Sequence, residues 1–105
     1  MKELFVRIQF AKVDTAASGA NEIIPAITGR SIRVMNYQLQ AAGSVAVTWK
    51  SGTTALTGAM SLGTAGGVNV ASPLGLLQTN TGEALNLTLG GAVQVSGHVG
   101  YIVVD

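Results

Sequence analysis

Apolar and small polar residues alternate along much of this chain with a period of two, and no window keeps the 3.6-residue period of an amphipathic helix for three turns. Val45, Val47 and Trp49 share one side of an extended segment, with Ser44, Ala46, Thr48 and Lys50 on the other. Leu85, Leu87 and Leu89 alternate in the same way with Ala84, Asn86 and Thr88. A chain patterned like this has strands to pack and no helix to pack them against, so the fold must be all-β.

The remaining segments supply the other strands. Val6, Ile8 and Phe10 alternate with Arg7, Gln9 and Ala11, which predicts a half-buried strand. Thr15 to Asn21 reads as a loop of small residues, and Glu22 to Ile27 as a short strand that Pro25 confines to an edge or a strand end. Arg30 to Gln40 reads as a long strand whose inward parity switches from Ile32 and Val34 to Tyr37 and Leu39. A bulge near Met35 and Asn36 accounts for that switch. Ser51-Gly52-Thr53-Thr54 is a turn, with Leu56, Met60 and Leu62 beyond it, and Gly63 to Ser72 is a loose connection. Gly90-Gly91 predicts a two-residue hairpin into a last strand, Ala92 to Val104, with Val93, Val95, Val99, Tyr101 and Val103 on one side. Gly97 and Gly100 mark a bend or a close backbone approach within it. About eight strands at regular turn spacing predict one domain over residues 1–105, an antiparallel β-sandwich of jelly-roll-like type. An immunoglobulin-like order is disfavoured, because a chain without cysteine lacks the Cys…Trp…Cys core.

Charge then narrows the function. Only 10% of the residues are charged, against about 25% in an ordinary soluble domain, while 48% are hydrophobic. Too few charges exist to cover a monomer, so partners are expected to hide part of the surface. No run of about 20 apolar residues exists to span a membrane, and Arg7 breaks the apolar run after Lys2, so no secretory signal is expected. The expectation is a protein assembled in a cytoplasm, without a membrane partner. The absence of cysteine excludes disulfides and thiol chemistry. A net charge of +1 with interspersed signs gives no footprint for nucleic acid.

Residues able to carry chemistry are scattered. His98, the one histidine, lies within a strand, where a packing or local hydrogen-bonding role is expected; a ring of His98 side chains around a symmetry axis is the alternative. Asp14, Glu22, Glu83 and Asp105 are isolated from one another, which suits solvated turn carboxylates rather than an acid–base pair or a calcium loop. Gly58 to Gly63, around Ser61, has the wrong glycine spacing for a nucleophile elbow, and no phosphate-binding glycine motif occurs. Asn86-Leu87-Thr88 fits a glycosylation pattern but lies inside a strand. Arg30, Arg33 and Lys50 read as strand-end gatekeepers, with a basic contact to an acidic partner as the alternative. Trp49, beside Val45 and Val47, reads as a core anchor rather than a sugar-stacking platform. No catalytic residue, metal ligand or cofactor is therefore expected. The outward sets Ser44, Ala46, Thr48; Ala84, Asn86, Thr88; and Ala92, Gln94, Ser96 are small and nearly uncharged, as close-packed interfaces are.

Four segments in order carry a resemblance: Asn21-Glu22-Ile23-Ile24-Pro25-Ala26-Ile27-Thr28-Gly29-Arg30-Ser31-Ile32-Arg33-Val34, Trp49-Lys50-Ser51-Gly52-Thr53-Thr54, Gly82-Glu83-Ala84-Leu85-Asn86-Leu87 and Val95-Ser96-Gly97-His98-Val99-Gly100-Tyr101. This succession resembles small β-sandwich virion proteins of tailed bacteriophages, of the capsid decoration (cement) type. The resemblance implies a non-enzymatic structural protein, a homotrimer seated on the major capsid protein of the virion. Met1 to Phe10 and the loops Thr15 to Asn21 and Gly63 to Ser72 are the expected capsid contacts. A phage tail or fibre domain that binds host-surface glycan is the alternative, and an enzyme built on His98 a third class.

Overall fold

The computed structural model describes residues 7–105, so the start of the amino-terminal pattern, with Val6, lies outside the described residues. Ten strands follow: β1 (Gln9–Thr15), β2 (Gly19–Ile24), β3 (Ser31–Ala41), β4 (Val45–Ser51), β5 (Thr54–Ala55), β6 (Met60–Leu62), β7 (Gly67–Ala71), β8 (Leu77–Gln78), β9 (Leu85–Leu89) and β10 (Val95–Val104). They form two sheets, β1-β10-β3-β7 with β8 also on β3, and β2-β9-β4-β5 with β6 also on β4. Every pairing is antiparallel.

β7 lies along residues 36–40 of β3 and β8 along residues 33 and 34, so the two share one lane. β5 and β6 share a lane along β4 in the same way. Ten strands thus fill eight lanes, four in each sheet. Numbered in chain order, the lanes run 1-8-3-6 in one sheet and 2-7-4-5 in the other. This is the double Greek key of a jelly roll, and the predicted sandwich of about eight strands is what forms.

One core lies between the sheets. Val13, Ile32, Val34, Tyr37, Leu39, Val95 and Val99 come from the first, and Val45, Val47, Trp49, Leu85, Leu87 and Leu89 from the second. Trp49 is fully buried, and its ring meets Tyr37 edge-on at 5.3 Å and 65°. Its Nε1 finds no acceptor among the described residues, a deficit of about 1–3 kcal/mol that the buried ring area outweighs. Burial also pushes the Tyr37 hydroxyl above its ordinary pKa.

Two irregularities make the longest pairing work. Val34 pairs with Tyr101 and Asn36 with Gly100, so Met35 is the extra residue of a bulge, where the parity switch predicts one. Gly97 and Gly100 admit the close approach read from the sequence. A Cβ on Gly97, at φ +153°, would lie 1.8 Å from the Gln38 carbonyl oxygen, and one on Gly100 would meet the Asn36 amide at 2.5 Å.

Several boundaries differ from the sequence reading. β1 runs in the opposite phase: Ala11 and Val13 face the core, while Ile8 and Phe10 face out, 48% and 68% exposed. Both phases carry apolar residues, and the anchoring of the following turn selects Val13. There the Thr15 hydroxyl donates to Asn21 Oδ1 at 2.6 Å, and Asn21 Nδ2 donates to the Ala17 carbonyl at 2.9 Å. That same turn shortens the predicted loop, since β2 begins at Gly19 and ends at Ile24, immediately before Pro25. Gly90-Gly91 is not a hairpin. β9 and β10 belong to different sheets, and the Gly90 amide donates to Ala46 in one while Gln94 accepts from Ala42 beside the other. The Gly63 to Ser72 connection contains β7, whose Val68 and Val70 pack on the core, and β8 is a further short strand.

Gly97→Ala is expected to lower the unfolding free energy by at least about 3 kcal/mol, since the added methyl overlaps backbone. Gly91→Ala, where an added Cβ meets nothing within 4 Å, is expected to change it by less than about 0.5 kcal/mol. Urea unfolding followed by Trp49 fluorescence measures both, and equal effects would show that the β3–β10 approach is not the constraint.

Candidate functional site

A polar clamp joins the sheets through the connection after β8. Thr79 pairs with Ile32 of the first sheet twice, its amide donating to the Ile32 carbonyl and its Oγ1 accepting from the Ile32 amide, both at 2.9 Å. Asn80 then reaches the second sheet, where its amide donates to Ser51 Oγ at 2.8 Å. Ser51 in turn donates to Glu83 Oε1 at 2.5 Å, and Asn80 Nδ2 donates to the same oxygen at 3.1 Å. Ser51 and Thr79 are buried, and these bonds satisfy them. The Ser51 bond first, and the Asn80 bond second, hold the Glu83 carboxyl below its ordinary pKa. A serine donating to a carboxylate in this way is a structural tie. The imidazole a nucleophilic serine would need, His98, lies on the outer face of the other sheet.

That outer face is polar over most of its area. Lys12, His98, Gln38 and Asn69 form one cross-strand row, and Asp14, Ser96, Gln40 and Gly67 another. Gln94 Nε2 donates to Asp14 Oδ1 at 2.7 Å, and Lys12 stands 3.9 Å from Asp14. Both partners of that ion pair are exposed, so it contributes at most about 1 kcal/mol. Beyond the Met35 bulge the face turns apolar. Ile8, Met35, Pro73, Leu74 and Ile102 surround an open groove of about 320 Å³ with Arg33 at its side. Leu74 is 85% exposed, and Phe10 projects from the same face. Arg33 donates from Nε to Gln78 Oε1 at 2.8 Å, its stem lying against Gly75.

The second sheet presents a face of mostly short side chains. Ala20, Thr88 and Thr48 make one row, and Glu22, Asn86, Lys50 and Ala55 the next. Ala46 and Ser61 continue it past Thr48. The Thr88 hydroxyl is buried with no hydrogen-bond partner among the described residues. Glu22 and Lys50 are the charged members of these rows, standing in the lanes on either side of β9.

The residues singled out in the sequence therefore do not converge. Arg30 pairs with Asp105 at 3.0 Å, Arg33 lies on one sheet and Lys50 on the other, so the three form no basic patch. Trp49 serves the core as expected. Ala46, Thr48, Asn86 and Thr88 do share one outward face, whereas Ser96 belongs to the opposite sheet. The exposed apolar groove was not anticipated, because its residues come from four separate segments that only the fold unites.

Ser51→Ala is expected to lower the unfolding free energy by about 1–3 kcal/mol by leaving the Asn80 amide and Glu83 without that partner. Because the Glu83 pKa is depressed on folding, its contribution is fully present above the ordinary value of 4.5 and is lost as pH falls through the folded value. Glu83→Gln should flatten the fall in stability on acidification below that pH. An unchanged acid limb in chemical unfolding would show that the clamp does not depend on the ionised carboxylate.

No family model, no curated protein and no solved structure matches the chain, so its own faces and loops are what bear on its function.

Proposed function

We propose that this chain is a structural virion subunit, a capsid decoration protein that stabilises a phage head by binding the shell lattice as an oligomer. One observation carries the reading: a chain with 10% charged residues leaves an almost uncharged sheet face and an apolar groove exposed on a small sandwich. Surfaces of that kind belong against protein rather than bulk water. Jelly rolls occur in viral capsids and in lectins alike, so strand order does not choose between them, and the placement of Trp49 and Tyr37 favours the first. Trp49 and Tyr37 are buried in the core, which removes two of the rings a glycan-binding role would stack on, and Phe10 is exposed beside the apolar groove. In this proposal the corner formed by Ile8, Phe10 and Leu74 meets the capsid protein.

Co-sedimentation with particles of the major capsid protein encoded in the same genome tests it. The chain should pellet with particles up to a fixed ratio, and Leu74→Asp should weaken that binding at least about tenfold, since it places a charge in an apolar contact. A chain that stays in the supernatant beside intact particles would sink the reading.

A further inference from the structure

The second sheet's outer face is complementary to itself. Glu22 stands on β2 and Lys50 on β4, both opposite Asn86 of β9, which runs between them. The two charges are of opposite sign and sit one lane to either side of that strand. Neither belongs to an ion pair within the chain among the described residues, where the pairs are Lys12 with Asp14 and Arg30 with Asp105. Neighbouring strands lie about 4.8 Å apart, so Glu22 and Lys50 are about 10 Å apart across β9.

We infer that this face is an isologous interface between two copies of the chain, with the twofold axis along β9. A half-turn about that axis exchanges the lanes on either side of β9 and keeps each row in place. Glu22 then faces the partner's Lys50, and Lys50 the partner's Glu22, so one contact is made twice. The next row brings Ala20 over the partner's Thr48 and lays the two Thr88 residues against each other across the axis. The short side chains of that row let two sheets approach to about 10 Å, the ordinary face-to-face spacing.

Charge placement favours a second copy over other occupants. A partner surface of a single sign would attract one of the two charges and repel the other, whereas this face presents its own complement after the half-turn. The pairing is independent of which larger assembly the protein joins. It also departs from the threefold arrangement implied by the phage resemblance, since a twofold contact closes on two copies.

Sedimentation-equilibrium measurements on the full chain, its charge-reversed forms and their combination decide the matter. The unaltered chain should form a dimer. Glu22→Lys and Lys50→Glu should each raise the dissociation constant on the order of a hundredfold, because the twofold converts both contacts into like-charge pairs. Combining the two reversals restores opposite signs and should restore the dimer. Folding is checked separately by Trp49 emission, as the core indole reports the sandwich whether or not the copies associate. A monomer or a trimer of the unaltered chain would overturn the inference. So would a dimer indifferent to either reversal, or a double reversal that stays monomeric while folded. Co-sedimentation with capsids tests the particle role by a different residue, Leu74, on the other sheet, so either idea can fail alone.

Discussion

The approach of β10 to β3 is the constraint from which the first sheet follows. β10 is bonded on one edge to β1 and on the other to β3, and β3 in turn carries the lane shared by β7 and β8. The strand fits there because two of its positions carry no side chain. At Gly97 the space a Cβ would take is occupied by the Gln38 carbonyl, and at Gly100 by the Asn36 amide. The same register places Met35 as an extra residue, which turns Ile32 and Val34 as well as Tyr37 and Leu39 toward one core. Without that bulge one of the two pairs would face solvent, because a one-residue slip reverses every side chain.

The second sheet is attached to the first by polar groups as well as by the core. Asn21 bonds to Thr15 of β1 and to the carbonyls of Ala17 and Gly19, drawing together the strands on either side of a short turn. Thr79 holds Ile32 while Asn80 and Glu83 hold Ser51, so one connection grips both sheets within a few residues. Such bonds add little net stability each, but leaving a buried hydroxyl or amide unpaired would cost more. Apolar packing sets that the sheets stack; these polar ties set where the chain passes between them.

The alternation in β3, β4 and β9, with the bulge and the core position of Trp49, was legible because it depends on neighbours along the chain. Strand order was not. Gly90-Gly91 has the chemistry of a tight hairpin, yet it serves as a crossing between sheets, a choice made by where β9 and β10 find partners. β7 was hidden because its inward residues are only Val68 and Val70 in a glycine-rich stretch. β1 was read in the wrong phase because either set of its alternating residues is plausible as core, and the tie of Thr15 to Asn21 decides. The candidate surfaces were half legible. Their small, neutral character shows in the strands, but the positions of Glu22 and Lys50 around β9 exist only once the lanes are in order.

The two outer faces also differ in a way that bears on how such a protein could assemble. The first sheet gathers its apolar side chains beyond the Met35 bulge and keeps Lys12, Asp14, His98 and several amides over the rest. A surface divided like this has a directional contact at one corner and a hydrated remainder. The second sheet is nearly uniform, with short side chains and one charge of each sign in neighbouring lanes of β9. Faces of short side chains favour close contact, and opposite charges placed either side of a central strand favour a mate of the same kind. One subunit can therefore use its two faces for different purposes, pairing through one sheet while presenting the corner of the other outward. In the proposed assembly two such corners per pair would engage the shell lattice together, where linked weak contacts bind far more tightly than single ones.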